Sequence, residues 1–481
     1  MDERLAAARI DRWTKDHQHE LLRDLRSLIR IPSVVSYGQD GYPMGEGCKR
    51  ALDMFELLSH RYGLKSINHD DYALSILLPG SEGGIELGML GHLDTVAAGE
   101  GWKTNPLDLV EEHGYLFGRG VLDNKGPIVM CLYVLRCIHE LGLPIHSTIR
   151  LIAGCDEEAN MLDVQHFLSH NQSPDFTLNC DGAWPLCLGE KGIINARLIF
   201  DLPSGCTLTI SGGSVSNVIP ESCELICTTD AVPANLPSDI HAEKLGTQTR
   251  FASVGRSSHC AWPSKGDNAI LKLLRYLTNV SILDSRIQDC FRNIVDCFTD
   301  DEGTGLRICF EDALSGKTTC VPTRIETAYD KMIVYCNIRY AVTQPYQILL
   351  QRLVRRCMAM GCELEVLSHS PARNDSLSQP VLKLLLETSQ KFVGKQCKPY
   401  YTGGGTHSRL FPYSVPFGPE KPAVGKKRGG SAHEANESIR VADLLEGIKI
   451  YIIALSRLDN YLRRKKSADQ IHLLCNNAAL L

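Results

Sequence analysis

The sequence predicts an open α/β sheet flanked by helices, interrupted by an inserted α+β domain. Three observations carry that expectation. Short apolar strand candidates, "YALSILLPG", "GIELGMLGHLD", "STIRLIAG" and "DFTLNC", alternate with helical stretches at the spacing of an α/β sheet. After Gly192 the texture changes to strand-like runs, "INARLIFDLPSGCTLTISGG" and "MIVYCNIRYAV", with the helix candidate "NAILKLLRYLTNV" between them. From "SQPVLKLLLETSQKFVG" onward helices and a glycine-rich loop return, ending in the apolar helix "VADLLEGIKIYIIALSRL". The expected divisions are residues 1–190, 191–372 and 373–481, the first and last forming one domain.

In chain order, amphipathic stretches at about residues 6–30 and 47–60 open the chain. The turn-like "GSEGG" joins the first two strand candidates, and a helix is expected over residues 126–141, with Pro127 suited to its first turn. "STIRLIAG" is apolar and β-branched enough to read as a buried strand. It runs directly into "CDEEAN", which places Asp156, Glu157 and Glu158 side by side. Three adjacent acids repel one another and are costly to bury without compensating positive charge. Alternation of side chains along an extended strand would let such neighbours take different tasks.

Composition narrows the function classes. With 51 Lys+Arg against 56 Asp+Glu the net charge is −5, which argues against a nucleic-acid or anionic-membrane surface. No apolar run approaches the ~20 residues of a membrane span. The N-terminus, "MDERLAAARIDRWTKDHQHELLRDLRSLIR", is charged and helical in period, unlike a signal peptide. Nineteen cysteines without a C-x-x-C pair read as reduced, mostly buried thiols, so a cytoplasmic protein is expected.

Several metal-ligand side chains share one placement. His92 and Asp94 follow the strand "IELGML", Glu157 and Glu158 follow "TIRLIAG", and Asp181 follows "DFTLNC". In open α/β sheets the ligand crevice lies outside the carboxyl ends of the strands. Asp123 in "GRGVLDNKGP" precedes a helix and would face the same rim, and "GGSAHEANE" offers His433, Glu434 and Glu437. Taken singly each has a plainer reading: a surface turn for His-x-Asp, a helix cap for Asp123, a solvated strand end for the acids.

Together the motifs resemble the M20 family of dinuclear zinc peptidases and deacylases, in particular its PepV-like dipeptidase branch. The likeness runs through "GHLDTVAAGEGW", "GRGVLDNKGP", "GCDEEANM", "DGAWPLCLGEKG", "SNVIPE", "SSHCAWPSKGDNA", "NIRYAV", "TGGGTHSR" and "HEANESI", over residues 91–439. It implies an open mixed sheet flanked by helices as the catalytic domain and makes the insertion a lid. By the resemblance, His92, Asp123 and Asp181 would hold one Zn²⁺ and Asp123, Glu158 and His433 the other, with Asp123 bridging and Mn²⁺ or Co²⁺ as substitutes. Asp94 would fix the tautomer of His92, and Glu157 would be the general base on a zinc-bridging water. Asp156 is left with a structural hydrogen bond. From the lid, His259 would stabilise the oxyanion, while Asn217 and Arg339 would grip the substrate.

The sequence departs from common family spellings at Cys155, where Thr is frequent, at Asn124, and at His407, where PepV-like proteins often carry Tyr. No implied ligand or base is missing. The implied activity is hydrolysis of dipeptides with a free amino terminus, by a monomer acting on small peptides. The alternatives are an M20 deacylase of N-acyl amino acids, with the same metals and base, and a non-catalytic substrate-binding homologue.

Overall fold

The computed structural model describes residues 3–38, 41–81, 84–229, 232–233, 235–280, 282–421 and 428–478. Part of the expected turn "GSEGG" lies outside the described residues. The chain divides into two compact units: Met1–Leu188 with Ser376–Tyr400 and Thr406–Leu481, and Gly189–Asp375 with Tyr401–Gly405. The fold is mixed α/β, with a mixed sheet in the first unit and a separate antiparallel sheet in the second.

The first unit is built on six strands in the order Lys65–His69, Ala73–Leu78, Thr148–Gly154, Glu86–His92, Phe176–Asn179 and Ser414–Pro416. The first two pairings are antiparallel and the remaining three parallel. Its central strands are buried on both faces, as near-continuous apolar runs in parallel sheets are. The helix Lys125–Leu141 packs against Gln18–Ile29 and Val441–Ala478, and every residue from Lys125 to Ile138 is buried. Gly142, in the left-handed region at φ 57°, ends that helix and returns its N–H to the Ile138 and His139 carbonyls.

Two differences from the expected elements have local causes. The amphipathic stretch over residues 6–30 is two helices, Glu3–Asp16 and Gln18–Ile29, divided at His17, whose Nδ1 sits 2.8 Å from the Trp13 carbonyl oxygen. No Gly or Pro marks this break, so periodicity alone reads through it. The strand Lys65–His69, "KSINH", was not expected: among the described residues it is a polar edge strand that pairs only with Ala73–Leu78, and it carries no apolar run.

The second unit is an eight-stranded antiparallel sheet in the order Ile240–Leu245, Gln248–Val254, Ser222–Thr228, Leu208–Gly212, Thr319–Ala328, Lys331–Tyr340, Gly192–Asp201 and Cys362–Ser370. Alternate residues, among them Ile194, Leu198, Leu225, Phe251 and Val334, enter one core with the helices Ala269–Asn279, Ser285–Cys297 and Tyr346–Ala359. The first of these helices is capped by the Asn268 side chain, which accepts the Ile270 and Leu271 N–H groups. Among the described residues no helix is long and apolar enough to cross a membrane.

Candidate metal centre

Register brings the predicted ligands together. In the parallel pairings His92 stands opposite Gly154, and Leu90 opposite Asn179. Three neighbouring strands therefore end level, and the residues just beyond them, Asp94, Asp156 to Glu158 and Asp181, share the carboxyl edge of the sheet. Asp123 lies two residues before the helix Lys125–Leu141. His433 sits in the loop preceding the strand Ser438–Arg440, with its backbone in the left-handed region at φ 66°. A non-glycine residue held there is uncommon and is often found at functional sites.

The strand ends at Gly154, and residues 157–160 form a turn. The expected alternation along an extended strand therefore does not separate the three acids. The turn does: Asp156 O accepts the Met161 N–H at 2.8 Å, and the Asp156 carboxylate accepts the Leu162 N–H at 2.8 Å and the Tyr37 hydroxyl. Asp156 thus closes the turn from which Glu157 and Glu158 project.

Ligand atoms of His92, Asp123 and Asp181 all lie within 4.8 Å of one another, and so do those of Asp123, Glu158 and His433. Asp123 belongs to both groups. Its Oδ1 is 3.1 Å from His92 Nε2 and its Oδ2 is 3.1 Å from His433 Nε2. His433 Nε2 is also 2.9 Å from Glu158 Oε2. The other nitrogen of His92, Nδ1, faces Asp94, at 3.1 Å from its backbone oxygen and 3.3 Å from Oδ1. Asp94 Oδ2 accepts the Glu158 N–H at 3.0 Å, tying the two triads together. Glu157 belongs to neither group.

The electrostatics describe a surplus of negative charge. Burial, then the charge of Asp123, pushes the Asp181 carboxyl up to about 7. Burial, then Asp181, drives Glu157 well above the ordinary carboxylate range, and burial with Asp123 raises Glu158. Burial opposes a charged His433, yet Glu158 and Asp123 outweigh it and raise that imidazole to about 11. His92 is likewise raised against burial, chiefly by Asp94. Asp123 is held well below its usual value because hydrogen bonds from His433 and His92 outweigh its burial. Two imidazoles thus face five carboxylates, those of Asp94, Asp123, Glu157, Glu158 and Asp181, and the shared Asp123 leaves each triad with imidazole and carboxylate donors. That donor set suits divalent zinc and its neighbours.

The family model described as "Peptidase family M20/M25/M40" matches residues 88–457. The chain belongs to that family. A protein of Bacillus subtilis (strain 168) is 28% identical over 461 residues, covering 92% of this chain and 97% of its own length. The Beta-Ala-Xaa dipeptidase of Lactobacillus delbrueckii subsp. lactis is 27% identical over 469 residues, covering 91% and 96%. The crystal structure of human carnosine dipeptidase 1 shares the fold at a TM-score of 0.59 and 13% identity, covering 94% of this chain and 100% of that one.

In this M20 peptidase, two acids offered by the sequence as ligands do other work. Glu434 accepts the Ser431 N–H at 2.9 Å. Glu437, fully buried, pairs with Arg119 at 2.6 Å and accepts the N–H groups of Gly120, Leu122 and Asp123 at 3.1, 2.8 and 3.0 Å. It therefore holds the loop that presents Asp123. The available signal was the lone Arg of "GRGVLDNKG" and the last Glu of "GGSAHEANE", opposite charges in two glycine-bearing loops.

The remaining predicted residues lie in the second unit of the M20 peptidase and are neighbours there. Val218 pairs with His259 across a short ladder, and the Asn217 carbonyl accepts the Cys260 N–H at 2.9 Å. Arg339 is buried, with Nε on Asn337 Oδ1 at 3.0 Å, Nη1 on the Gly403 carbonyl at 2.6 Å and Nη2 at 3.2 Å from His259 Nε2. The Ala261 N–H faces the other ring nitrogen, Nδ1, at 3.3 Å.

Proposed function

We propose that this M20 peptidase hydrolyses dipeptides with a free amino terminus, using two Zn²⁺ ions for which Mn²⁺ or Co²⁺ can substitute. The observation that carries this reading is the pair of ligand triads sharing Asp123, with Glu157 part of neither yet within electrostatic reach of Asp181, His92, Glu158 and Asp123. His92, Asp123 and Asp181 would hold one ion, and Asp123, Glu158 and His433 the other. Bound there, the ions would supply Lewis acidity and lower the pKa of water. Asp94 keeps the hydrogen of His92 on Nδ1, leaving Nε2 as the ligand atom. Glu157 takes a proton from the attacking water and delivers it to the leaving amine.

In the second unit, His259 would donate to the developing oxyanion and Arg339 would hold the substrate carboxylate, with Asn217 contacting the peptide. Arg339 Nη2 and His259 Nε2 lie 3.2 Å apart, so an oxyanion or carboxylate held beside them would meet both side chains. The name of the Lactobacillus relative supports a dipeptide substrate. The mostly buried thiols suit a cytoplasmic setting, and the proposed state is a monomer.

The test is Arg339→Met. It should raise KM for dipeptides by about 10-fold or more, the scale of a hydrogen bond to a charged group, and shrink their advantage over dipeptide amides. An unchanged ratio between acids and amides would remove Arg339 from the carboxylate site.

A further inference from the structure

Behind the candidate metal centre lies a buried carboxylate–imidazole pair that takes no part in the proposed catalysis. Asp163 is fully buried and His407 is 1% exposed, and Nε2 of the imidazole sits 3.1 Å from Asp163 Oδ1. Burying such a pair costs free energy that well-packed apolar side chains would not. The surroundings are shaped to admit it. A Cβ on Gly154, the last residue of its strand, would lie 2.1 Å from Asp163 Oδ2 and 2.8 Å from His407 Cε1. Glycine is therefore required at 154 by close approach, and the pair occupies the space.

The pair touches two of the segments that carry the candidate ligands. Asp163 Oδ2 accepts the Asp156 N–H at 2.9 Å, at the start of the turn that bears Glu157 and Glu158. The His407 ring meets the His92 ring edge-on, with centroids 6.2 Å apart and planes at 83°. His92 stands opposite Gly154 in the sheet, so the imidazole is wedged against both strand ends. His407 opens a short helical turn capped by Thr406, whose hydroxyl accepts the Ser408 N–H. Among the described residues Nδ1 of His407 is buried without a hydrogen-bond partner, so Asp163 and packing fix the ring.

We propose that Asp163 and His407 form a positioning pair that sets the metal affinity of the His92, Asp123, Asp181 triad without ligating metal. This rests on the ion-binding reading of that triad. Such outer partners orient ligand side chains, and their loss typically costs 10–100-fold in metal affinity. The function needs only an N–H at Nε2 donating to Asp163, which the neutral and the charged imidazole both provide.

The experiment uses the full chain with Zn²⁺ as probe. Binding is measured by competition with a chromogenic chelator, alongside thermal unfolding of the ion-free protein. His407→Leu should weaken one of two Zn²⁺ equivalents by about 10–100-fold. His407→Gln, which keeps an N–H for Asp163, should restore most of that loss. A packing role alone would lower the ion-free Tm of the leucine variant and leave its Zn²⁺ affinity unchanged, and that result overturns the proposal. If the leucine variant does not fold, Asp163→Asn is measured in the same way, and unchanged affinity there overturns it. Asp181→Ala separates the two levels. Full binding by that variant overturns the triad itself, whereas loss there with full binding by His407→Leu overturns only the positioning pair.

Discussion

Glu437 Oε1 accepts the backbone N–H of Asp123 at 3.0 Å, so the carboxylate common to both triads hangs from a buried acid that belongs to neither. Removing one partner of a buried pair leaves the other charge uncompensated, at a cost of about 3–5 kcal/mol. Glu437→Ala strands Arg119, whose guanidinium is 3% exposed. It should lower the unfolding free energy of the ion-free protein by about that amount in urea titrations. A loss below about 1 kcal/mol would show that Arg119 is satisfied without Glu437.

Asp123 offers one oxygen towards each imidazole, and this geometry makes the two triads inseparable at that residue. Asp123→Ala should weaken both metal equivalents at once. Asp181→Ala and Glu158→Ala should each weaken mainly one. Metal titration of the three variants checks this, and tight binding of two equivalents by Asp123→Ala would remove the bridge.

Glu157→Gln should keep two metals and lose turnover by about 100-fold or more, the scale of general acid–base catalysis. Its carboxyl lies outside both triads yet is raised by burial and by Asp181. Metal analysis of the purified variant decides the point: a missing ion would make Glu157 a ligand.

Metal binding should release protons, and more of them at lower pH. In the ion-free protein the Asp181 carboxyl titrates at about 7, above its ordinary range, and His433 at about 11. Cations bind the deprotonated groups, so each proton present must leave and affinity rises with pH. At about pH 6 both groups carry protons, whereas at about pH 8 Asp181 has mostly lost its proton and His433 has kept its own. Calorimetry in buffers of different ionisation enthalpy should find close to one more proton released at the lower pH. Equal release at both would contradict a protonated Asp181.

The triads were legible in the sequence because their residues fall at strand ends and helix starts, where short motifs fix the backbone as well as the side chain. Each of His92, Asp123, Glu158, Asp181 and His433 is a weak signal alone, and it is the resemblance of their motifs to the M20 family that implies the ligand set. The supports were harder to see. Glu437 and Arg119 are separated by 318 positions, and neither spacing nor periodicity links them. Asp163 and His407 are 244 apart, and a lone His in a glycine-rich loop carries no sign of burial. The break at His17 and the strand "KSINH" were hidden for a different reason. The first interrupts no apolar pattern, and the second, at a sheet edge, has no apolar pattern to show.

The most direct test of the account is a comparison of kcat/KM for free dipeptides, tripeptides and N-acetyl amino acids on the Zn²⁺-loaded enzyme. Each added residue moves the terminal carboxylate up to ~3.3–3.6 Å further from the scissile bond, so a group that holds the carboxylate of a dipeptide would meet an internal amide in a tripeptide. An acetyl cap also lacks the ammonium that a carboxylate-rich rim would attract. The expected result is efficient cleavage of dipeptides, with both other classes far slower. Equal or better cleavage of N-acetyl amino acids would make the enzyme a deacylase on the same metals, and equal cleavage of tripeptides would make it a broader aminopeptidase; either result contradicts the dipeptidase account.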